Sequence, residues 1–107
     1  MFARPRKQKR EAIDQRILRL HTGIAKKIIA QPSLINDVQA TLEARYESGM
    51  MRYGSYILWQ GIVETLHTPE VFTALLLAED VRTASLRRET IFTGILTEAE
   101  RAEILED

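Results

Sequence analysis

The sequence predicts an all-α protein: a single small bundle of five or six helices around a long N-terminal helix. Three observations predict it. Apolar residues recur at intervals of three and four rather than two along most of the chain, the periodicity of a helical face. Capping residues, prolines and glycines cut that pattern into segments of helix length. A chain of 107 residues, 45% hydrophobic and 28% charged, also has material for one modest core and not for two.

The expected organisation is a flexible basic arm over residues 1–7 and one helical domain over 8–107. The arm carries Pro5 and charges with nothing to bury. From about Gln8 to Ala30, Ile13, Ile17, Leu20, Ile24 and Ile28 form one apolar line, and Leu18, His21, Ala25 and Ile29 a second. A helix with two such lines meets neighbours over a wide arc. Gly23 weakens it by up to about 1 kcal/mol against alanine unless another backbone must approach closely there. Pro32 biases the preceding residue away from helix and places the stop near Gln31.

Ser33 is the expected cap of the second helix, with Asp37 complementing the positive end of its dipole. Its inward line is Leu34 or Ile35, then Val38, Leu42 and Arg45 or Tyr46, and Gly49 ends it. A loop from Gly49 to Gly54 leads into the segment from Tyr56 to Leu66. Its β-branched and aromatic residues permit a strand, but Tyr56, Trp59, Val63 and Leu66 fit helical spacing better. Thr68-Pro69-Glu70 is a start signal: capping residue, proline at the first position, acid in the first turn. Val71, Phe72, Leu75, Leu76 and Leu77 face inward from there to a break near Glu79 or Asp80, and Asp80 caps a short helix through Arg87.

The stretch from Leu86 to Arg101 holds a short apolar centre with Gly94, then Thr97 as an N-cap with Glu100 three residues on. That spacing is a capping box: the threonine hydroxyl accepts a free backbone N–H, and the glutamate reaches back to the N–H of Thr97. The last helix follows, with Ala99, Ala102, Ile104 and Leu105 inward.

Fifteen basic and fifteen acidic residues cancel, so no global field favours nucleic acid or membrane. The charge is uneven: Arg4, Arg6, Lys7, Lys9 and Arg10 precede the first acid, Glu11, while Glu98, Glu100, Glu103, Glu106 and Asp107 crowd the other end. With no cysteine, disulfides and thiol chemistry are excluded. No apolar run reaches membrane-spanning length and none follows the basic N-terminus, so the expectation is a cytoplasmic protein without membrane contact.

No catalytic constellation stands out, and the expectation is a non-enzyme without cofactor or metal. His21 and His67 fall on different helices; His21 reads first as a packed histidine, and His67 as an imidazole at a helix C-terminus. The glycines are too scattered for a phosphate loop. Two binding signals remain. The basic cluster Arg4, Arg6, Lys7, Lys9, Arg10 offers salt-sensitive contact with phosphates, or is simply a solvated tail. Asn36, Gln39, Thr41 and Arg45 would suit a groove-reading helix, but Glu43 and Glu47 dilute them. Tyr46, Tyr53, Tyr56 and Trp59, beside Met50 and Met51, have the composition of an interface hot spot. Trp59 reads as core, and Tyr53 and Tyr56 as the surface pair.

Leu86-Arg87, then Phe92-Thr93-Gly94-Ile95-Leu96-Thr97 and Glu100-Arg101, resembles the C-terminal signature of a group of small bacterial proteins. His21, the Ile24-Ala25 pair, the Pro32-to-Leu34 break and Trp59 are similar too, although Ile91 stands where that group has proline. These proteins look like the antitoxin or immunity members of toxin–antitoxin modules. The resemblance implies that the chain binds and neutralises a cognate toxin enzyme, for example a nucleotide-using one such as a zeta-type kinase. The expected contact surface is the long first helix through Arg16, Arg19 and Lys27, reinforced by Tyr53 and Tyr56. Arg87, Arg88 and Arg101 are expected either to pair with acids of the partner or to be held internally by Glu89 or Glu100. A DNA-binding regulator acting through the basic arm and a chaperone-like companion of an effector protein are the alternatives.

Overall fold

In a computed structural model the described residues are 5–106, with side chains from Arg10 onward. They form six α-helices: α1 Pro5–Ala30, α2 Ile35–Glu47, α3 Tyr53–Glu64, α4 Pro69–Leu76, α5 Val81–Arg88 and α6 Glu98–Leu105, with no strand among them. Helix α1, about 39 Å long at 1.5 Å per residue, is the spine. α4, α5 and α6 all pack on it, and α2 packs on α3.

Helix α1 starts at Pro5, not at Gln8, so the expected arm runs into the helix by three residues. Proline in a first turn loses only an N–H that has no intrahelical partner there, and its fixed φ suits the helix. Residues 1–4, including Arg4, lie outside the described residues, as do the side chains of Arg6, Lys7 and Lys9. The helix stops at Ala30, ahead of Pro32, as the sequence predicts.

The turn after it differs. Pro32–Leu34 is a 3-10 turn, and α2 begins at Ile35 with no side-chain cap, so Ser33 does not cap it. The continuous 3-10-to-α run lets Ile35 N–H bond to Pro32 and Ser33 carbonyls instead. Helix α2 ends as expected: Gly49 sits at φ +82°, its N–H bonds to Tyr46 O, and Met50 N–H bonds to Arg45 O. That pair of bonds closes the helix end only when a residue takes the left-handed conformation.

The segment around Trp59 is helical, and α3 begins at Tyr53, so Gly54 belongs to the helix rather than a loop. Thr68 precedes α4 but its side chain makes no capping bond. Phe72 and Leu76 are buried, whereas Val71 and Leu75 are exposed, because an eight-residue helix lying on α1 and α3 covers only a narrow stripe. The helix already gives way at Leu77, and Asp80 then caps α5 by accepting from Thr83 N–H at 3.0 Å. In α6, Ala99 and Ala102 face solvent; Ile104 and Leu105 are half-buried.

The core gathers at the middle and far end of α1. Ile24, Ala25 and Ile28 meet Val38 and Leu42 of α2, Trp59, Ile62 and Val63 of α3, and Phe72 and Leu76 of α4. Ile91, Phe92 and Ile95 come in from the segment between α5 and α6. Phe92 is the hub: its ring stands edge-on to Trp59 at 5.7 Å, Phe72 at 6.4 Å and His21 at 6.0 Å between centroids. Such edge-to-face sets add to plain burial through ring quadrupoles. Gly94, at φ +79°, turns the chain so that Phe92 and Ile95 both point inward.

Candidate functional site

The N-terminal half of α1 reaches past the bundle. Of its described side chains, none before His21 is buried, and Arg10, Ile13 and Arg16 are exposed, Ile13 by 51%. Ile13 and Arg16 lie three apart, and Arg10 three before Ile13, so the three share one side of the helix. The projection shows in the molecule's dimensions: its radius of gyration is 14.5 Å, against about 13 Å for a compact chain of this length. One clamp holds the extension to the bundle. Arg88 donates from Nε and Nη2 to the two carboxylate oxygens of Asp14, both at 2.8 Å. That fork bond holds the Asp14 carboxyl below its ordinary range and raises Arg88.

The other cations expected at the partner surface are occupied within the chain. Arg19 donates to Ile104 O at 2.7 Å and so ties α1 to the end of α6. Lys27 bonds to Ile95 O at 2.7 Å and to Glu100 Oε1 at 2.6 Å. Glu100 in turn closes the capping box, with Thr97 N–H donating to it at 2.8 Å and its own N–H donating to Thr97 Oγ1 at 3.1 Å. The Lys27 bond foremost, then the Thr97 N–H, lowers the Glu100 pKa. Arg87 is buried, 3% exposed, and its Nη1 donates to Leu76 O at 2.8 Å and Ala78 O at 2.7 Å, where the chain leaves α4. Among the partner residues expected from the sequence, Arg16 and Tyr53 are thus the exposed ones whose side chains make no hydrogen bond among the described residues.

The aromatic group divides in the same way. Tyr56 stacks on Tyr46 at 4.1 Å between centroids, accepts from Gln60 at 2.9 Å, and its hydroxyl lies 2.8 and 2.7 Å from the Glu43 carboxylate oxygens. The bond to Glu43 comes first among the causes that raise the Tyr56 hydroxyl to about 12. Tyr53, 64% exposed, and Met50, 76% exposed, stand beside this stack as its open edge. Trp59 is core, as the sequence predicts, at 1% exposure.

His21 is a structural histidine. Its Nδ1 faces the Ile17 carbonyl at 2.8 Å and its Nε2 faces Thr90 Oγ1 at 2.7 Å. A carbonyl can only accept, so Nδ1 carries the proton and the Thr90 hydroxyl donates to Nε2. Thr90 Oγ1 also accepts from Phe92 N–H at 3.1 Å, which fixes the start of the Phe92 turn. Burial, helped by the charge of Arg87, pushes His21 down to about 4 against the pull of the Ile17 bond. His67 Nδ1–H donates to Glu64 O at 2.7 Å, at the end of α3, in keeping with a helix-terminal imidazole.

Beside His21 opens a pocket of about 260 Å³ between α1 and the segment after α5, lined by Ile17, Ile24, Arg87, Phe92, Leu96 and Arg101 among others. No local pattern signals it, since its walls join residues of α1 to residues 63 to 84 positions further along the chain. A second, more apolar groove of about 360 Å³ lies where Ile57, Leu75 and Leu86 meet. Among the described residues no group of three or more histidines and carboxylates could hold a metal ion, and no helix is long and apolar enough to cross a membrane. No family model, curated protein or solved structure matches the chain.

Proposed function

We propose that this chain is an antitoxin-like inhibitor, which binds a cognate toxin enzyme and covers its active or substrate site. The observation that carries the proposal is the free half of α1. A helix that leaves its own bundle with an exposed isoleucine between two arginines is built to be covered by something else. Helix-in-groove recognition uses that arrangement, one apolar anchor line flanked by charges that set register. Tyr53 and Met50 supply a second apolar contact at the other end of the aromatic stack. The resemblance of the Leu86–Arg101 stretch to antitoxin and immunity proteins is the support for the partner's class in this proposal, a toxin such as a nucleotide-using kinase of the zeta type.

The test is co-expression with the product of the adjacent gene. The expected result is co-purification and relief of that product's toxicity. Ile13→Asp with Arg16→Glu should abolish both without moving the melting temperature, because neither residue is packed in the bundle. Retention of the complex by that double variant, or a neighbour that neither binds nor poisons the cell, sinks the proposal.

A second reading draws on the helical start of α1. With its backbone already helical from Pro5, the chain carries Arg6, Lys7, Lys9 and Arg10 on one rigid rod. Such a rod can lie along a phosphate backbone, a DNA-binding role that combines with neutralisation. Affinity for duplex DNA should then fall steeply with salt and vanish when residues 1–10 are removed. Toxin binding that survives this truncation would assign the basic end to DNA alone.

A further inference from the structure

The geometry points to a binding site for a small carboxylic acid with an apolar body, in the pocket between α1 and the segment from Thr90 to Leu96. Arg87 is the reason. It is 3% exposed, yet among the described residues no carboxylate lies in ion-pair range of it. Both of its hydrogen bonds, to Leu76 O and Ala78 O, leave from Nη1. Nε and Nη2 hold none. No side-chain nitrogen or oxygen among the described residues is both buried and unbonded, so these N–H groups reach open space. The space that Arg87 lines is the pocket.

The guanidinium is enclosed by protein except at these two N–H groups, which are free to take the oxygens of a ligand. Nε and Nη2 form one edge of the planar fork, the edge that takes both oxygens of a carboxylate side by side. The neighbouring charges favour the same ligand. Arg88 on the wall is already clamped by Asp14, whereas the side chain of Arg101 at the mouth makes no hydrogen bond or ion pair among the described residues and is exposed. His21 adds no charge, since its Nε2 is occupied by Thr90. Ile17, Leu20, Ile24, Phe92 and Leu96 make most of the remaining wall apolar, with Thr90, Thr93 and Gly94 as its polar part.

Size sets the rest. At about 260 Å³ the pocket falls just below the 300–1,000 Å³ of sites for drug-sized ligands, which leaves room for one ring or a branched acyl chain. A phosphate would find a single inward fork and apolar walls, too few donors for a dianion. The site borders the free half of α1 through Ile17 and Arg88, but its ligand is held by Arg87 and Arg101, so it does not depend on the partner proposed above.

Phenylacetate is a suitable probe, with phenylacetamide as its uncharged twin and inorganic phosphate as the anion without an apolar body. In ¹H–¹⁵N spectra of the whole chain, phenylacetate should produce saturable shifts of the Gly94 and Thr93 amides and of the Arg87 Nε–H. Phenylacetamide and phosphate should bind at least tenfold more weakly. Arg101→Ala, an exposed position that leaves the core intact, should weaken phenylacetate several-fold. Arg87→Lys should abolish the saturable shift, and if that variant unfolds, Arg101→Ala still decides. No saturable shift with phenylacetate, equal shifts with the amide, or full affinity in Arg101→Ala would overturn the site.

Discussion

The side chain of Ile104 lies directly over Gly23. A Cβ built on Gly23 would collide with Ile104 Cδ1 and stand 3.2 Å from Cγ1. The last helix thus rests on the one position of α1 that offers no side chain, and the glycine is explained by a side chain's approach rather than a backbone's. Alanine in a helix interior is normally worth about 1 kcal/mol over glycine. Gly23→Ala should deliver less than that gain, because the end of the Ile104 side chain must move aside to make room. In an Ile104→Ala background the same substitution should recover it. Urea unfolding of the four proteins measures the coupling; simple additivity would show that the contact has no energetic weight.

His21 makes stability depend on pH. Its folded pKa, about 4, lies below its ordinary value of 6.5, so the unfolded chain binds the proton more tightly. The stabilisation is therefore complete above pH 6.5 and is lost progressively as pH falls from there toward 4. The gap of about 2.5 units corresponds to about 3 kcal/mol at full loss. Unfolding free energies measured from pH 7.5 down to 4 should show this slope on top of the carboxylate effects. In His21→Gln, which keeps a donor for Ile17 O, the part between pH 6.5 and 5 should flatten. An unchanged profile in that variant would assign the slope to other groups.

How far the sequence spoke for itself can be judged from Thr97, Ser33 and Arg87. Thr97 was legible because a capping box is local: four consecutive residues contain both hydrogen bonds. Ser33 misled because the same local signal competes with Pro32, and a 3-10 turn carried the chain into α2 without a side chain's help. Asp80, with no such competitor, caps as read. The all-α class followed from periodicity, and so did the burial of Trp59, Val38 and Leu42. The candidate site was much less legible. Arg16 and Tyr53 do face outward, but Arg19, Lys27, Arg87 and Arg88 are spent on partners 9 to 87 positions away, and no spacing rule reports such pairs. Val71 and Leu75 show the converse: an apolar stripe says what can be buried, not how much cover the neighbours provide.

Arg87 closes the far end of α4. The final carbonyls of a helix have no intrahelical donors, and in this helix Leu76 O receives a buried guanidinium, as does Ala78 O just beyond. Arg87→Met keeps the bulk of the stem but leaves the buried bond to Leu76 O and the part-buried bond to Ala78 O without a donor. The cost should be about 3 kcal/mol, of the order expected when buried groups lose hydrogen bonds to a charge. Arg87→Lys should recover part of it, since an ammonium can reach one carbonyl but not span both. Chemical denaturation ranks the three; a methionine variant as stable as the parent would mean that water satisfies those carbonyls.

The clamp between Asp14 and Arg88 should govern dynamics more than stability. Both side chains are partly exposed, Arg88 by 33% and Asp14 by 23%, and an ion pair that solvent reaches contributes little to global folding. Its position matters more than its strength, because it ties the projecting half of α1 to α5 across 74 positions of sequence. Without it, the helix from Pro5 to Arg16 has no described side chain buried against the bundle and should fray from its free end. Asp14→Asn should therefore leave the melting temperature nearly unchanged while amide exchange accelerates at residues 8–16 and stays slow at Ile24 to Ile28. High salt should reproduce part of the effect in the parent protein and none in the variant. If the free half of α1 is the element that a partner covers, the variant must also order it on binding, so association should weaken mainly through this added entropic cost. A variant with unchanged exchange at residues 8–16 would mean that the helix holds itself and that the clamp serves only to place Arg88 beside the pocket.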